Sequence, residues 1–254
     1  MSARWALRFL GVGASHAVAL GNAAAVLERD DEPLLLIDCG AGALHRYIDF
    51  YGQVPTAVYL THVHMDHVGG LEELFQHSWF DEAIRGRTRL YTHAGLVPWL
   101  QGRVADYPGV LAEGGVNFWE AFRLLPCSRG FWHEGLWFEV FASRHHRPGT
   151  SFGLALPGSF VWTGDTRPIP EMLDIHAARD ELIAHDCSLA GNPSHTGVDD
   201  IEREYPEALR QRLVLYHYGS TADGDTLAAR GFRVAHAGEI FDLSPALPSP
   251  ADAG

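Results

Sequence analysis

Cysteine is scarce, with three in 254 residues, Cys39, Cys127 and Cys187. Their wide spacing and odd number argue against a disulfide framework or a CxxC zinc knuckle, and predict a reducing, cytoplasmic setting. Positive charge is also in short supply: 19 basic residues face 32 acidic ones, a net −13, and no run reaches five like charges. Such a surface repels phosphate backbones, so a nucleic-acid polymer is a disfavoured partner and a small-molecule substrate is expected. Long apolar runs are absent. None approaches the roughly 20 residues needed to span a bilayer. The opening Met1–Leu10 is broken by Arg8 and runs into Gly11-Val12-Gly13 without a small-residue cleavage pattern, so neither a signal peptide nor a membrane partner is expected.

What is present is enough apolar residue, 46% of the chain, to bury a sizeable core. The length and patterning predict one large domain over 1–243, followed by a flexible Pro/Ala/Ser-rich tail over 244–254. Alternating or continuous apolar runs predict twelve strands, among them 34–38, 57–60, 136–143, 160–164, 182–186 and 213–216. Helical patterning appears at 43–51, 71–76, 95–103, 171–179, 198–204, 206–210 and 226–230. Strands outnumber helices and alternate with them only in part, which points to a layered α/β sandwich rather than a doubly wound sheet.

The most informative segment is Thr61-His62-Val63-His64-Met65-Asp66-His67, which follows the apolar run 56–60. Imidazole and carboxylate together suit a borderline divalent ion. Residues at i and i+2 of an extended chain point the same way, so His62 and His64 can converge on one ion. Asp66 and His67 lie beyond the strand end and can face a second. Further ligands are to be sought at the ends of later strands, and three places offer them: Arg144-His145-His146-Arg147, Gly164-Asp165-Thr166 and Tyr216-His217-Tyr218. Each alone reads as readily as a turn former or a structural histidine. Together they form a coherent set.

The order His-x-His-x-Asp-His, then His, then Gly-Asp-Thr, then His, resembles the metallo-β-lactamase fold superfamily. Phe9-Leu10-Gly11-Val12-Gly13, Asn22, Asp38-Cys39-Gly40-Ala41-Gly42 and Ser151-Phe152-Gly153 are similar to its ribonuclease Z and cyclic phosphodiesterase branch. The resemblance implies an α/β, four-layer αββα sandwich and a dinuclear centre. His62, His64 and one of His145 or His146 then hold the first metal, with His146 preferred for its interval to Gly153. Asp66, His67 and His217 hold the second, and Asp165 bridges. Zinc is the first expectation, with manganese or iron as alternatives. Ions roughly 3.5 to 4 Å apart lower the pKa of a bridging water toward about 7, making hydroxide the expected nucleophile.

The implied catalytic set is Asp66, Asp165 and His195. His195, in Pro193-Ser194-His195-Thr196-Gly197, is similar to a ribonuclease Z histidine placed near the leaving group. Asp186 is a candidate support for it or for a ligand histidine. The expected activity is metal-dependent hydrolysis of a small phosphodiester or cyclic phosphate ester. Transfer-RNA processing fits poorly, because the interval between Asp165 and His195 has no room for the long Gly/Pro-rich arm of that branch. The alternatives are a lactonase or thioesterase, favoured by an apolar pocket built from the aromatic-rich segment 79–137, and a non-catalytic metal-binding sensor. The same aromatic segment is a candidate lid or homodimer contact.

Overall fold

The computed structural model describes residues 3–244, so all of the expected tail except Ser244 lies outside the described residues. The strands of the first half of the chain are β1 (Trp5–Gly11), β2 (Ala24–Arg29), β3 (Glu32–Ile37), β4 (Ala57–Leu60), β5 (Thr88–His93), β6 (Val110–Leu111), β7 (Gly114–Gly115) and β8 (Phe122–Cys127). Those of the second half are β9 (Gly130–His133), β10 (Leu136–Ala142), β11 (Phe152–Leu156), β12 (Phe160–Trp162), β13 (Leu182–Asp186), β14 (Leu213–Tyr216), β15 (Arg233–Val234) and β16 (Ile240–Leu243). They form two seven-stranded sheets, ordered β16-β1-β2-β3-β4-β5-β8 and β15-β14-β13-β12-β11-β10-β9, and the small pair β6-β7.

The two-residue period of the strands explains the layering. Leu7 and Phe9 of β1, Ala25 and Leu27 of β2, and Ala57 and Tyr59 of β4 turn toward the second sheet, where they meet Phe138, Trp162 and Val214. Their alternate neighbours Leu10, Ala24, Val26, Val58 and Leu60 turn the other way, onto α1 (Ala43–Tyr51) and α3 (Leu71–Phe80). On the far side, Leu173 of α5 (Pro170–His176), Ile201 of α6 (Val198–Glu204) and Leu227 of α8 (Thr221–Ala229) cover the second sheet. The molecule is thus an α/β sandwich of the metallo-β-lactamase type. Among the described residues no helix is long and apolar enough to cross a membrane.

Three local expectations are corrected. The hairpin strand β9 and the closing strand β16 are absent from the sequence reading, because each buries only one apolar residue, Phe131 and Phe241, unlike the fully buried four-residue runs of β4 and β14. The helix expected over 95–103 is broken into a 3-10 turn at Ala94–Leu96, α4 at Val97–Leu100 and a π turn at Gln101–Ala105. The last helix starts at Thr221 rather than 226, because Ser220 caps it by accepting the Asp223 N–H.

Each sheet is antiparallel on one side and parallel on the other: β3, β4, β5 and β8 run parallel, as do β12, β13, β14 and β15. Ligand sites in such sheets lie beyond the carboxyl ends of strands. Here those ends carry Asp38 after β3, His62 after β4, His145 after β10, Asp165 after β12, Asp186 ending β13 and His217 after β14.

Candidate metal centre

The floor of the site is aromatic core. Trp162, fully buried, stacks on Tyr216 at 4.2 Å, and Phe9 lies 5.5 Å away. Such pairs contribute about 0.5 to 1.5 kcal/mol beyond their buried area. This packing holds the ends of β12 and β14 in register just before Asp165 and His217.

The His62–His67 segment is set by Asp38. Its backbone is in the left-handed region, φ 61°, which turns the buried carboxylate toward the next strand end. Oδ1 accepts from the Thr61 N–H at 2.8 Å, Oδ2 accepts from the Thr61 hydroxyl at 2.8 Å and from His67 Nδ1 at 2.8 Å. His62 Nδ1 lies 3.0 Å from that same hydroxyl. With the hydroxyl proton given to Asp38, Thr61 accepts from His62, and the His62 Nε2 lone pair is left facing the cage. Asp66 and His67 sit on the one-turn helix α2 (Met65–Val68). Gly40 lets this turn come close: a Cβ there would lie 1.8 Å from the Asp66 carbonyl oxygen. The turn Asp38–Gly42 stands out in the sequence, but the partners of Asp38 do not, because Thr61 and His67 lie 23 and 29 positions away.

Three groups of ligand-type atoms result, the first from His62, His64, His145 and Asp165, the second from Asp66, His67, Asp165 and His217, and a third from Asp165, Asp186, His195 and His217; within each, all atoms lie within 4.8 Å of one another. In the first, His62 Nε2 and His145 Nε2 each lie 3.1 Å from His64 Nδ1. His145 Nδ1 donates to the Ser194 carbonyl at 2.9 Å, so its Nε2 also offers a lone pair. Burial holds the pKa of all three imidazoles below the ordinary value, that of His145 at about 4. They are neutral donors. In the second group, His67 Nε2 faces Asp165 Oδ1 at 3.3 Å and Asp66 Oδ2 at 3.5 Å. His217 Nε2 faces Asp165 Oδ2 at 3.4 Å and Asp66 Oδ2 at 3.5 Å. Burial lowers the His217 pKa, but Asp165, Asp186 and Asp66 more than reverse this, to about 10. The second group therefore favours positive charge.

Of the adjacent pair, the structure brings His145, and not the preferred His146, into the first group. His146 is exposed, with φ 53°, and its Nδ1 lies 3.4 Å from the Ser194 hydroxyl, outside all three groups. Its ring lies 4.8 Å from that of His64 but on the solvent side, while His145, one residue nearer β10, is buried. Asp165 is the common member. Its Oδ1 and Oδ2, with His67 Nε2 and His217 Nε2, are buried and have no hydrogen-bond partner, although they approach one another at ion-pair distance. An unpartnered buried polar atom costs about 1 to 3 kcal/mol. Four of them aimed into one space, beside three converging imidazole lone pairs, fit divalent cations as the missing partner.

Next to this cage, Asp186 accepts from the Thr166 N–H at 2.9 Å and from His195 Nδ1 at 2.9 Å, and its other oxygen lies 3.5 Å from His217 Nδ1. It thus touches both a ligand-type histidine and His195. The His195 ring stacks on His217 at 5.0 Å and stays partly open to solvent. Burial lowers its pKa, and Asp186 raises it above the ordinary value overall.

A family model described as Anti-Pycsar protein Apyc1 matches residues 5–241. The chain belongs to that family. Curated Apyc1 relatives include proteins of Paenibacillus harenae, 27% identical over 85% of this chain and 91% of theirs, and of Saccharibacillus brassicae, 30% identical over the same shares. Among solved structures, a diphosphatase of the PhnP family has a TM-score of 0.75 at 18% identity, covering 97% of this chain and 100% of its own. Human tRNase Z, short form, has a TM-score of 0.61 at 19% identity, covering 94% of this chain and 100% of its own. The ribonuclease Z-like resemblance of the sequence is thereby matched in the fold.

Proposed function

We propose that this protein hydrolyses a small cyclic phosphodiester of the cyclic-nucleotide class, using two divalent cations, zinc first among the candidates. The observation that carries this reading is Asp165, whose two unpartnered oxygens stand between the donor groups: Oδ2 faces His62 of the first and His217 of the second, and Oδ1 faces His67 of the second. Membership of the Apyc1 family supports the substrate class. His62, His64 and His145 hold one cation, Asp66, His67 and His217 the other, and Asp165 lies between them. Bound there, the pair supplies a water-derived nucleophile at neutral pH and neutralises charge on the phosphoryl oxygens.

The chain's own groups do the rest. Asp38, through Thr61 and His67, locks the imidazole tautomers so that the lone pairs face inward. Asp186 fixes Nδ1 of His195, leaving Nε2 to give a proton to the departing ester oxygen as the P–O bond breaks. The net charge of −13 and the short span from Asp165 to His195 favour a small substrate over a polymer. No ring of the 79–137 segment lines the cavity beside His195 and His217, so the apolar pocket that would favour a lactone or thioester is not found there.

Elemental analysis of purified protein is expected to give close to two transition-metal ions per chain. A folded preparation that stays metal-free after incubation with zinc or manganese overturns the dinuclear reading. Turnover by the loaded protein is expected with bis(p-nitrophenyl) phosphate and cyclic nucleotides, and not with lactones or thioesters. The two adjacent histidines give a sharper check. His145→Ala is expected to lose metal and activity, while His146→Ala, whose exposed ring belongs to none of the donor groups, is expected to keep full occupancy and turnover within about 3-fold of the parent. The reverse pattern removes His145 from the ligand set.

A further inference from the structure

The metal cage opens into a cavity of about 370 Å³, and His195 and His217 form its inner wall. The segment 188–192 lines one side, and two further segments complete the outer wall. The loop after β1 contributes Ser15 and His16, and the first turn of α8 contributes Asp223. Backbone bonds tie these segments to the site: the Ala14 N–H donates to the Tyr218 carbonyl at 3.1 Å, and the His217 N–H to the Val12 carbonyl at 2.7 Å. Between the two segments lies Gly219. A Cβ there would sit 2.8 Å from Asp223 Oδ2 and 3.2 Å from His16 Nε2, so a carboxylate and an imidazole converge on the one space that the glycine leaves free. Asp223 uses its backbone N–H to complete the Ser220 cap, which leaves its carboxylate to face the cavity.

A phosphate ester with its phosphorus at the cage must project its organic part outward. The strand ends close the inner side, and the cavity lies on an open side, beyond His195 and His217. A carboxylate on its wall repels the phosphate and attracts a neutral N–H or O–H donor, so Asp223 is suited to a part of the substrate remote from the reacting atoms. The volume is within the range of small-molecule sites. We propose that this cavity receives the nucleoside part of the substrate, with Asp223 accepting a hydrogen bond from its base or sugar and His16 as the second contact. These two side chains, kept apart by Gly219, set the preference among cyclic nucleotides. The inference rests on the cyclic-nucleotide reading above and adds the recognition residues to it.

The test compares His16→Ala, Asp223→Ala and Gly219→Leu with the parent protein, all metal-loaded. The substrates are a panel of cyclic nucleotides and methyl p-nitrophenyl phosphate, a diester with no nucleoside. Each variant is expected to raise KM on the preferred cyclic nucleotide by about 10-fold to 100-fold, the usual effect of losing a hydrogen bond to a charged group. Metal content and kcat/KM on the minimal diester are expected to stay unchanged. Gly219→Leu fills the space directly, while the two alanine variants remove surface-accessible side chains and leave the fold untouched. Unchanged KM across the panel, or equal losses on both substrate types, overturns the proposal while leaving the cyclic-nucleotide reading in place. A parent protein that turns over the minimal diester and none of the cyclic nucleotides overturns that reading, and this inference with it.

Discussion

Asp165→Ala is expected to abolish turnover and to lower metal content, with a loss well beyond the roughly 10 to 100-fold typical of residues that only orient ligands. The reason is geometric. Asp165 Oδ2 lies 3.6 Å from His62 Nε2 and 3.4 Å from His217 Nε2, and Oδ1 lies 3.3 Å from His67 Nε2. No other carboxylate belongs to both the first and the second group. With two cations held as proposed, its removal would take away the one carboxylate shared by both groups and leave their mutual repulsion less compensated. His64→Ala is expected to behave alike through the first group alone, since two imidazoles remain where three converged. Asp38→Asn supplies the contrast: it keeps the shape but weakens the hold on His67 and Thr61, and belongs in the 10 to 100-fold class. Metal analysis, steady-state rates and circular dichroism on the three variants check the ranking. Full occupancy and retained activity in Asp165→Ala would remove the bridging role.

The parts of this site that are legible in the sequence are those whose logic is local. His62 and His64 follow a fully buried four-residue strand, so the two-residue period alone aims both in one direction. Asp165 and His217 are readable as polar residues where apolar strands stop. What is not legible depends on partners far along the chain. Nothing in Arg144-His145-His146-Arg147 distinguishes the two histidines; the distinction comes from the Ser194 carbonyl, 49 positions away, which takes the His145 Nδ1 proton, and from the left-handed turn at His146. Asp38 reads as a strand-end aspartate in a glycine-rich turn, and only the approach of Thr61 and His67 makes it the anchor of the metal loop. The start of α8 shows the same limit. Helical patterning is read only over 226–230, yet Gly224 lies inside the helix and serves packing: a Cβ there would lie 2.9 Å from the Tyr218 ring. Sheet order is likewise non-local, since β16 closes the first sheet by pairing with β1 across nearly the whole described chain.

His195→Ala is expected to keep both metals while lowering the rate by about 10² to 10⁴ on substrates with poor leaving groups. Asp186 holds His195 Nδ1 at 2.9 Å, and the Thr166 N–H fixes the same carboxylate oxygen, so the ring has one orientation with Nε2 free. The Asn192 side chain accepts from the His195 N–H at 3.0 Å and steadies the loop from the other side. Asp186 also favours the protonated ring, which suits a group that gives up a proton late in the reaction. An alkoxide leaving group needs that proton, whereas p-nitrophenolate departs without it. The loss should therefore be large on a cyclic nucleotide or an alkyl ester and small on bis(p-nitrophenyl) phosphate. Asp186→Asn is expected to move the same ratio in the same direction, because it loosens the ring without removing it. It should also weaken metal binding modestly through His217. Equal losses on both leaving groups would make His195 a positioning residue, and loss of metal in His195→Ala would place it among the ligands, in the group it forms with Asp165, Asp186 and His217.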